Sequence, residues 1–331
     1  QSITVAPDGS ILTASCDCTA KHWDAQTGKC IQTFRGHKKV VHSAIASPSG
    51  DLVLTASHDC NSKLWNIKTG ECIRTFKGHR DWEQSAVFSS DGTLVLTASR
   101  DGTAKVWSAA TGCCKMTMEG HSNIVFSAHF SEDSCSVLTA SADSTARLWS
   151  TETRLCTKTF VGHENWVTSA VFSPDEALIL TASHDCVANV WCTQSGHCLR
   201  TLKGHTEWVV SAAFSPDGAS VITASRDATA RIWNVDNGSC IKSLSGHHDI
   251  VFTAIFSPDG DSIVTASADR TAKVWNRKSG ECTETLEGHS DWVVSAIFYP
   301  NAKMRGAILT ASRDCTAGLW AWTPQVCSVS G

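Results

Sequence analysis

No Cys-x-x-Cys, His-Glu-x-x-His or Gly-x-x-x-x-Gly-Lys-Ser/Thr occurs anywhere in the 331 residues. The common short signatures for redox thiols, zinc hydrolysis and phosphate cradling are therefore missing. No block of Lys or Arg occurs either. The net charge is −4 and the pI about 6.4, so nothing advertises electrostatic binding of DNA or RNA. No apolar run approaches the roughly 18 residues of a membrane-spanning helix. No segment keeps a helical apolar period over a window of about 11 residues or more. Tyrosine occurs once, at Tyr299. No signal peptide is visible, and the first residue is Gln1, which suggests a processed end or a fragment boundary.

What is present is a period. Gly-His recurs with its His at 37, 79, 121, 163, 205, 247 and 289, each step being 42 residues. Thr-Ala-Ser-x-Asp recurs with its Asp at 17, 59, 101, 143, 185, 227, 269 and 314. Six residues after each Asp stands a Trp: 23, 65, 107, 149, 191, 233, 275 and 320. A length of 331 residues alone suggests about two domains. An unbroken period of this size overrides that prior and assigns 1–331 to one array of repeats.

Within one repeat, short β-prone runs alternate with turn signals. Trp82 to Phe88 ends in Ser-Ser-Asp-Gly, Thr93 to Ser99 ends in Arg-Asp-Gly, and Thr103 to Trp107 ends in Ala-Thr-Gly. Cys114 to Met118 completes the unit. Short strands at about ten-residue spacing predict antiparallel β structure.

Four strands per unit, with Gly-His and a Trp in the third strand, resemble the WD-repeat β-propeller family, across essentially the whole chain. The resemblance implies an all-β fold, with four antiparallel strands per blade. Only Trp23-Asp24 keeps the Trp-Asp pair; elsewhere the Trp is followed by Asn66, Ser108, Ser150, Cys192, Asn234, Asn276 or Ala321. Eight Trp and eight turn Asp predict eight blades, at about 1–36, 37–78, 79–120, 121–162, 163–204, 205–246, 247–288 and 289–331. A seven-bladed ring with an extra repeat is the alternative. The first blade begins inside its first strand and lacks the His. Val326 to Val329 falls where the fourth strand of the last blade belongs. Closure would then rest on side-chain packing of blade one against blade eight, unless residues before Gln1 are missing. Three extra residues lie between Phe298 and Gly306, lengthening one turn; a drifted turn or a functional loop would explain them.

The family resemblance gives the recurring polar residues a structural task. His37, Thr55, Asp59 and Trp65 would form one hydrogen-bonded relay, and His79, Thr97, Asp101 and Trp107 the next. The chemistry agrees, because a buried indole N–H needs an acceptor and a hydroxyl can pass the bond on. Asp beside His and Ser/Thr also suggests a catalytic triad. Seven copies of one site type argue for scaffold instead, so no catalytic residue is assigned.

Function would lie in what differs between repeats. The residue before each turn Asp is Cys16, His58, Arg100, Ala142, His184, Arg226, Ala268 and Arg313. From blade two to seven it runs His, Arg, Ala, His, Arg, Ala, which points to a duplicated three-blade unit of 126 residues. In the family this residue sits on the rim where the chain enters the first strand. There the sequence reads Asp81-Trp82, Glu207-Trp208 and Asp291-Trp292, in the same three blades as Arg100, Arg226 and Arg313. Two readings are compatible. One is an acid–Arg pair with Arg stacked on the indole. The other is a partner-binding face, because Trp and Arg are enriched at interface hot spots. Trp166, His58 and His184 join the same face; Val40, Ile124 and Ile250 replace the Trp elsewhere, and Lys38 and Lys39 make blade two basic.

Of the 16 cysteines, eight recur at one repeat position: 30, 72, 114, 156, 198, 240, 282 and 327. Equivalent positions on different blades are too far apart for disulfides, so these are expected to be small buried hydrophobes in a reducing, cytoplasmic compartment. Cys16, Cys18, Cys60 and Cys315, with His58, lie in turns of adjoining blades, but zinc needs all its ligands within about 2.3 Å of the ion. No metal and no cofactor is expected.

The expected function is a non-catalytic protein–protein interaction scaffold: a monomeric ring within a larger complex, binding a peptide or partner subunit, and neither nucleic acid nor membrane. Alternatives are a substrate receptor of a ubiquitin ligase or a structural subunit of a large assembly such as a ciliary complex. Receptors of that kind often carry Trp-Asp-x-Arg. The third residue after each Trp here is Gln26, Lys68, Ala110, Glu152, Gln194, Asp236, Lys278 or Thr323, and none is Arg. An enzyme with its site in the channel would need convergent acids or His on the first strands. Ser85, Ala86, Ser127, Ala128, Ser211 and Ala212 are not such residues; His42 and His129 are exceptions on different blades.

Overall fold

Each 42-residue unit folds as its own antiparallel sheet. A computed structural model describes residues 2–299 and 306–322. In the third unit the strands are Glu83–Phe88, Leu94–Ser99, Ala104–Ser108 and Cys114–Met118, each hydrogen-bonded to the next. The predicted strands agree with these to within about a residue at each end. Seven units form four-stranded sheets, and the eighth has three strands among the described residues. Its expected fourth strand and most of the three-residue insertion lie outside them.

The second strand of a blade is buried on both faces. Leu94–Ser99 reads Leu-Val-Leu-Thr-Ala-Ser, and all but its first residue are buried. A strand covered on both sides needs a continuous apolar run rather than alternation. The fourth strand is the outer edge and is mostly exposed. In Cys72–Lys77 only Phe76 is buried.

Blades are joined by their side chains. Leu12, Ala14, Ala20 and Phe34 of the first blade form one core with Val41, Ala44, Val53 and Trp65 of the second. The ring of Phe34 lies 5.8 Å from that of Trp65. The same arrangement puts Phe76 5.7 Å from Trp107 and Phe160 5.6 Å from Trp191. Removing an indole of this kind from water contributes an upper limit of about 4–6 kcal/mol. This packing also explains the Gly of Gly-His. Gly36 has φ +151°, and a Cβ built there would stand 3.2 Å from Trp65 Cη2. The backbone must approach the next blade's indole closely, which only Gly permits.

The ring closes with eight blades. Ile3 and Ile11 of the first blade share a core with Tyr299, Ala307, Leu309 and Ala311 of the last. The Tyr299 hydroxyl donates to Gly9 O across this seam. The single tyrosine of the chain is thus a closure residue. Trp23, at the seam, is only partly buried, whereas Trp65, Trp191, Trp233 and Trp275 are fully buried.

The recurring cysteines are not buried, contrary to expectation. Cys30, Cys72, Cys114, Cys198, Cys240 and Cys282 are exposed, and Cys156 is half-buried. They stand at a bulge in the edge strand, where Trp65 pairs with Cys72 as the register shifts. There the thiol turns back on its own strand: Cys72 Sγ donates to Arg74 O at 3.3 Å. Cys327 lies outside the described residues. No disulfide joins two of the described cysteines.

Candidate functional site

The recurring polar set of blades two to eight makes a chain of hydrogen bonds. Trp65 Nε1 donates to Thr55 Oγ1 at 2.9 Å. His37 Nε2 lies 2.7 Å from the same oxygen, and His37 Nδ1 lies 2.9 Å from Asp59 Oδ2. With Nδ1 donating to the carboxylate, Nε2 is free to accept the Thr55 proton, which gives every polar atom a role. Lys38 N–H also donates to Asp59 Oδ2, at 2.8 Å. His79, Thr97, Asp101 and Trp107 repeat the pattern at 2.8–2.9 Å. Burial alone would raise the carboxyls of Asp59 and Asp101. The bonds from the paired His and from backbone N–H groups outweigh it and hold both well below the usual carboxylate range. The hydroxyl at the centre is fully buried, as at Thr55 and Thr97, so the relay is a clamp within the blade and out of reach of a substrate.

One serine–histidine–aspartate group lies outside this pattern. Ser10 Oγ donates to Asp8 Oδ1 at 2.6 Å, and His22 Nε2 stands 2.6 Å from Ser10 Oγ. A hydroxyl that gives its proton to Asp8 must accept from His22. The histidine therefore does not draw a proton from Ser10, as a nucleophile's base would.

The variable residues converge at the rim. In each blade from the second on, the residue before the turn Asp donates its N–H to the carbonyl three positions after the relay His. Arg100 N binds Trp82 O at 2.9 Å, Arg226 N binds Trp208 O at 2.9 Å, and Arg313 N binds Trp292 O at 2.9 Å. One backbone bond thus sets the two most variable positions side by side. The guanidinium carbons lie over the indoles at 4.4 Å for Arg100 on Trp82, 4.2 Å for Arg226 on Trp208 and 4.1 Å for Arg313 on Trp292. The acid–Arg pair expected from the sequence does not form among the described residues. Asp81 Oδ1 instead accepts from Trp82 N–H at 2.7 Å, and Asp291 Oδ1 from Trp292 N–H at 2.7 Å. A short side chain bonds the adjacent backbone before it can reach an Arg already seated on the ring.

The other side of two indoles is covered from the neighbouring blade. His58 stacks on Trp82 at 4.2 Å and 8°, and His184 on Trp208 at 4.1 Å and 12°. An imidazole and a guanidinium cannot share one face at these distances, so each indole is sandwiched between them. Trp166, which is 42% exposed, lies 5.4 Å from His184 and 5.8 Å from Phe126. Phe126, Trp166, His184, Trp208 and Arg226 therefore run as one band across blades four to six. His42, His58, Trp82 and Arg100 make a second band, with His42 5.8 Å from His58. Phe252, 5.6 Å from Trp292, begins a third that ends at Arg313. Burial and then the charge of Arg100 push His58 down, and burial and then Arg226 do the same to His184. Burial and His58 push His42 down to about 4. The imidazoles in the stacks are neutral near pH 7, and the charge rests on the arginines.

His42, Phe126 and Phe252 were not assigned to this face from the sequence. They share one repeat position, the second of the innermost strand, which is the signal that could have found them. Among the described residues no group of three or more His, Cys, Asp or Glu is placed to hold a metal ion. Cys18, Cys60 and Cys315 instead occupy tight-turn positions with φ of 67°, 65° and 67°.

The family model described as WD domain, G-beta repeat matches eight times, at 1–24, 28–66, 70–108, 112–150, 154–192, 196–234, 238–276 and 280–321. The chain belongs to the WD40 family. WD40 propellers generally act as protein-interaction scaffolds and are typically non-catalytic. Among solved structures, the chain is similar to the crystal structure of the computationally designed Ika8 protein, with 25% identity and a TM-score of 0.85, over 96% of this chain and 95% of that one. A comparison with curated proteins found no match.

Proposed function

We propose that this WD40 propeller is a scaffold that binds a partner polypeptide on the Trp/His/Arg rim. The observation that carries this reading is the set of indoles at Trp82 and Trp208, each held between an imidazole and an arginine. Such stacks fix large side chains before a partner arrives, which lowers the ordering cost of association. Trp166 stays open to solvent beside them. Arg100, Arg226 and Arg313 are exposed and present donor edges while their planar faces rest on indole. A partner with an extended segment carrying carboxylates between apolar side chains matches this surface. No contact with a partner is needed to hold the ring together, so the rim is free to vary while the relay is kept.

The test is affinity purification with the wild-type chain and with Trp82→Ala, Trp208→Ala and Trp292→Ala, followed by affinity measurement for each protein recovered. At least one partner should bind about tenfold or more weakly to one variant, as hot-spot truncation does. Unchanged affinity for every recovered protein would sink the assignment of this face.

A further inference from the structure

The innermost strand of each blade ends at the mouth of the channel opposite to the Trp/His/Arg rim, since Trp82 precedes the strand Glu83–Phe88 and Phe88 ends it. Its last residue is Phe88, Phe130, Phe172, Phe214, Phe256 or Phe298 in blades three to eight. Blades one and two depart from this, with Val5 and Ala46. The register is kept: Ala46 pairs with Val53 as Phe88 pairs with Val95. The backbone therefore presents a Phe position at Ala46, with a methyl group where six blades place a ring. Where those rings fall, Phe88 packs against the core between blades two and three, and Phe130 against the core between three and four.

A recess of about 640 Å³ opens at the two exceptional blades. Its walls include Pro7, Ile45, Ala46, Pro48, Val87 and Phe88, and none of its lining residues is charged. The rim is acidic. Asp8 lies between the lining residues Pro7 and Gly9, Asp91 follows the lining residue Ser90, and Asp51 is three residues beyond Pro48. All three are exposed. The turns of blades one and three carry Asp8 and Asp91 at one position; the turn of blade two has Ser49 there, its hydroxyl 3.0 Å from that of Ser47.

We propose that this recess is a second binding site, which seats one aromatic side chain of a partner polypeptide flanked by basic residues. The six filled blades show what fits: a phenyl ring lying against the seam between two blades. The carboxylates of these turns select cationic flanks. The site is independent of the Trp/His/Arg rim, at the other end of the same strands, so one partner could be held at each mouth.

The probe is acetyl-Lys-Phe-Lys-amide, titrated into the full chain labelled at Ile and Val methyl groups and followed by NMR. Acetyl-Lys-Ala-Lys-amide and acetyl-Glu-Phe-Glu-amide are the comparison peptides. The Phe peptide should shift the Ile45 and Val87 methyls and bind about tenfold more tightly than either comparison, as burial of one ring and reversal of charge predict. Ala46→Phe restores the residue of six other blades and should remove the response while the rest of the spectrum is unchanged. Should that variant fold poorly, Ala46→Leu fills part of the recess and should weaken binding several-fold. Equal binding of the Ala peptide, no binding at millimolar concentration, shifts confined to other residues, or undiminished binding to the filled variants would each overturn the proposal.

Discussion

Glu83 offers a sharp test of how the blades are packed. It begins the innermost strand of the third blade, where the six later and earlier blades with a described equivalent have Val41, Val125, Val167, Val209, Val251 and Val293, all fully buried. Glu83 is also 0% exposed. Facing it is Ser62, at a position that is Ala20, Ala104, Ala146, Ala188, Ala230 or Ala272 in other blades. The Ser62 hydroxyl donates to Glu83 Oε2, while Oε1 has no partner among the described residues. Burial pushes the carboxyl well above its usual range, the Ser62 bond opposes this, and the nearby charges of Asp59 and Asp101 reinforce it. The sign follows directly. Below the ordinary pKa of Glu both folded and unfolded chains hold the proton, and nothing is lost. As pH rises from there towards the folded pKa, the unfolded chain releases its proton first, so stability falls by about 1.4 kcal/mol per pH unit. An unpaired buried oxygen costs about 1–3 kcal/mol more. The double variant Ser62→Ala/Glu83→Val should therefore be more stable than wild type by about 1–3 kcal/mol near pH 5, and by more at pH 7. Ser62→Ala alone removes the hydroxyl bond to the acid and should destabilise by about 1–3 kcal/mol. Glu83→Val alone strands the Ser62 hydroxyl and should gain less than the pair. Urea unfolding of all four proteins at pH 5 and pH 7.5 closes the cycle. If the double variant is no more stable than wild type and shows the same pH slope, the reasoning about Glu83 is wrong.

Thr55→Val should cost about 1–3 kcal/mol, because it leaves the Trp65 indole N–H and His37 Nε2 buried without their shared partner; thermal unfolding measures it, and a Thr13→Val change should cost less because that blade has no relay histidine. Gly36→Ala should destabilise by about 1–3 kcal/mol, from a positive φ and a Cβ pressed on Trp65, whereas Gly28→Ala meets no atom within 4 Å and should pay only for its φ of +67°. The relay carboxyls of Asp59, Asp101 and Asp143 are held low in the folded chain, so their contribution is complete above the ordinary Asp pKa and is lost as pH falls below about 4. Acid titration followed by circular dichroism should show this loss, and Asp59→Asn should make it shallower. Tyr299→Phe removes the bond to Gly9 at the seam and should lower the melting temperature without altering the Trp/His/Arg rim.

Blade number, strand order and relay partners were legible in the sequence because each depends on residues at fixed offsets within one 42-residue unit. The offset of 22 between His37 and Asp59 is the same in the next blade, so the hydrogen bond repeats with the period. The two variable positions also stood out, because they differ against an otherwise uniform background. Their arrangement did not. The acid–Arg pair follows from like position in three blades, but in two of them the backbone N–H of the adjacent Trp takes the acid instead. The cysteines were read as buried from their regular recurrence, yet recurrence places them only on equivalent strands, and that strand is the outer edge.

Sequence alone therefore determined the unit: its turns, its strand pattern, its internal relay and the number of copies. These are local, set by turn chemistry, apolar runs and hydrogen bonds within about 40 residues. Tertiary structure decided what happens between units. It laid His58 of one blade on Trp82 of the next, matched Ser62 to Glu83 across a seam, and opened a recess where Ala46 stands in a column of phenylalanines. Those pairings depend on how one blade is rotated against its neighbour. Side-chain packing across the blade seam fixes that rotation, and no single repeat contains both sides of a seam.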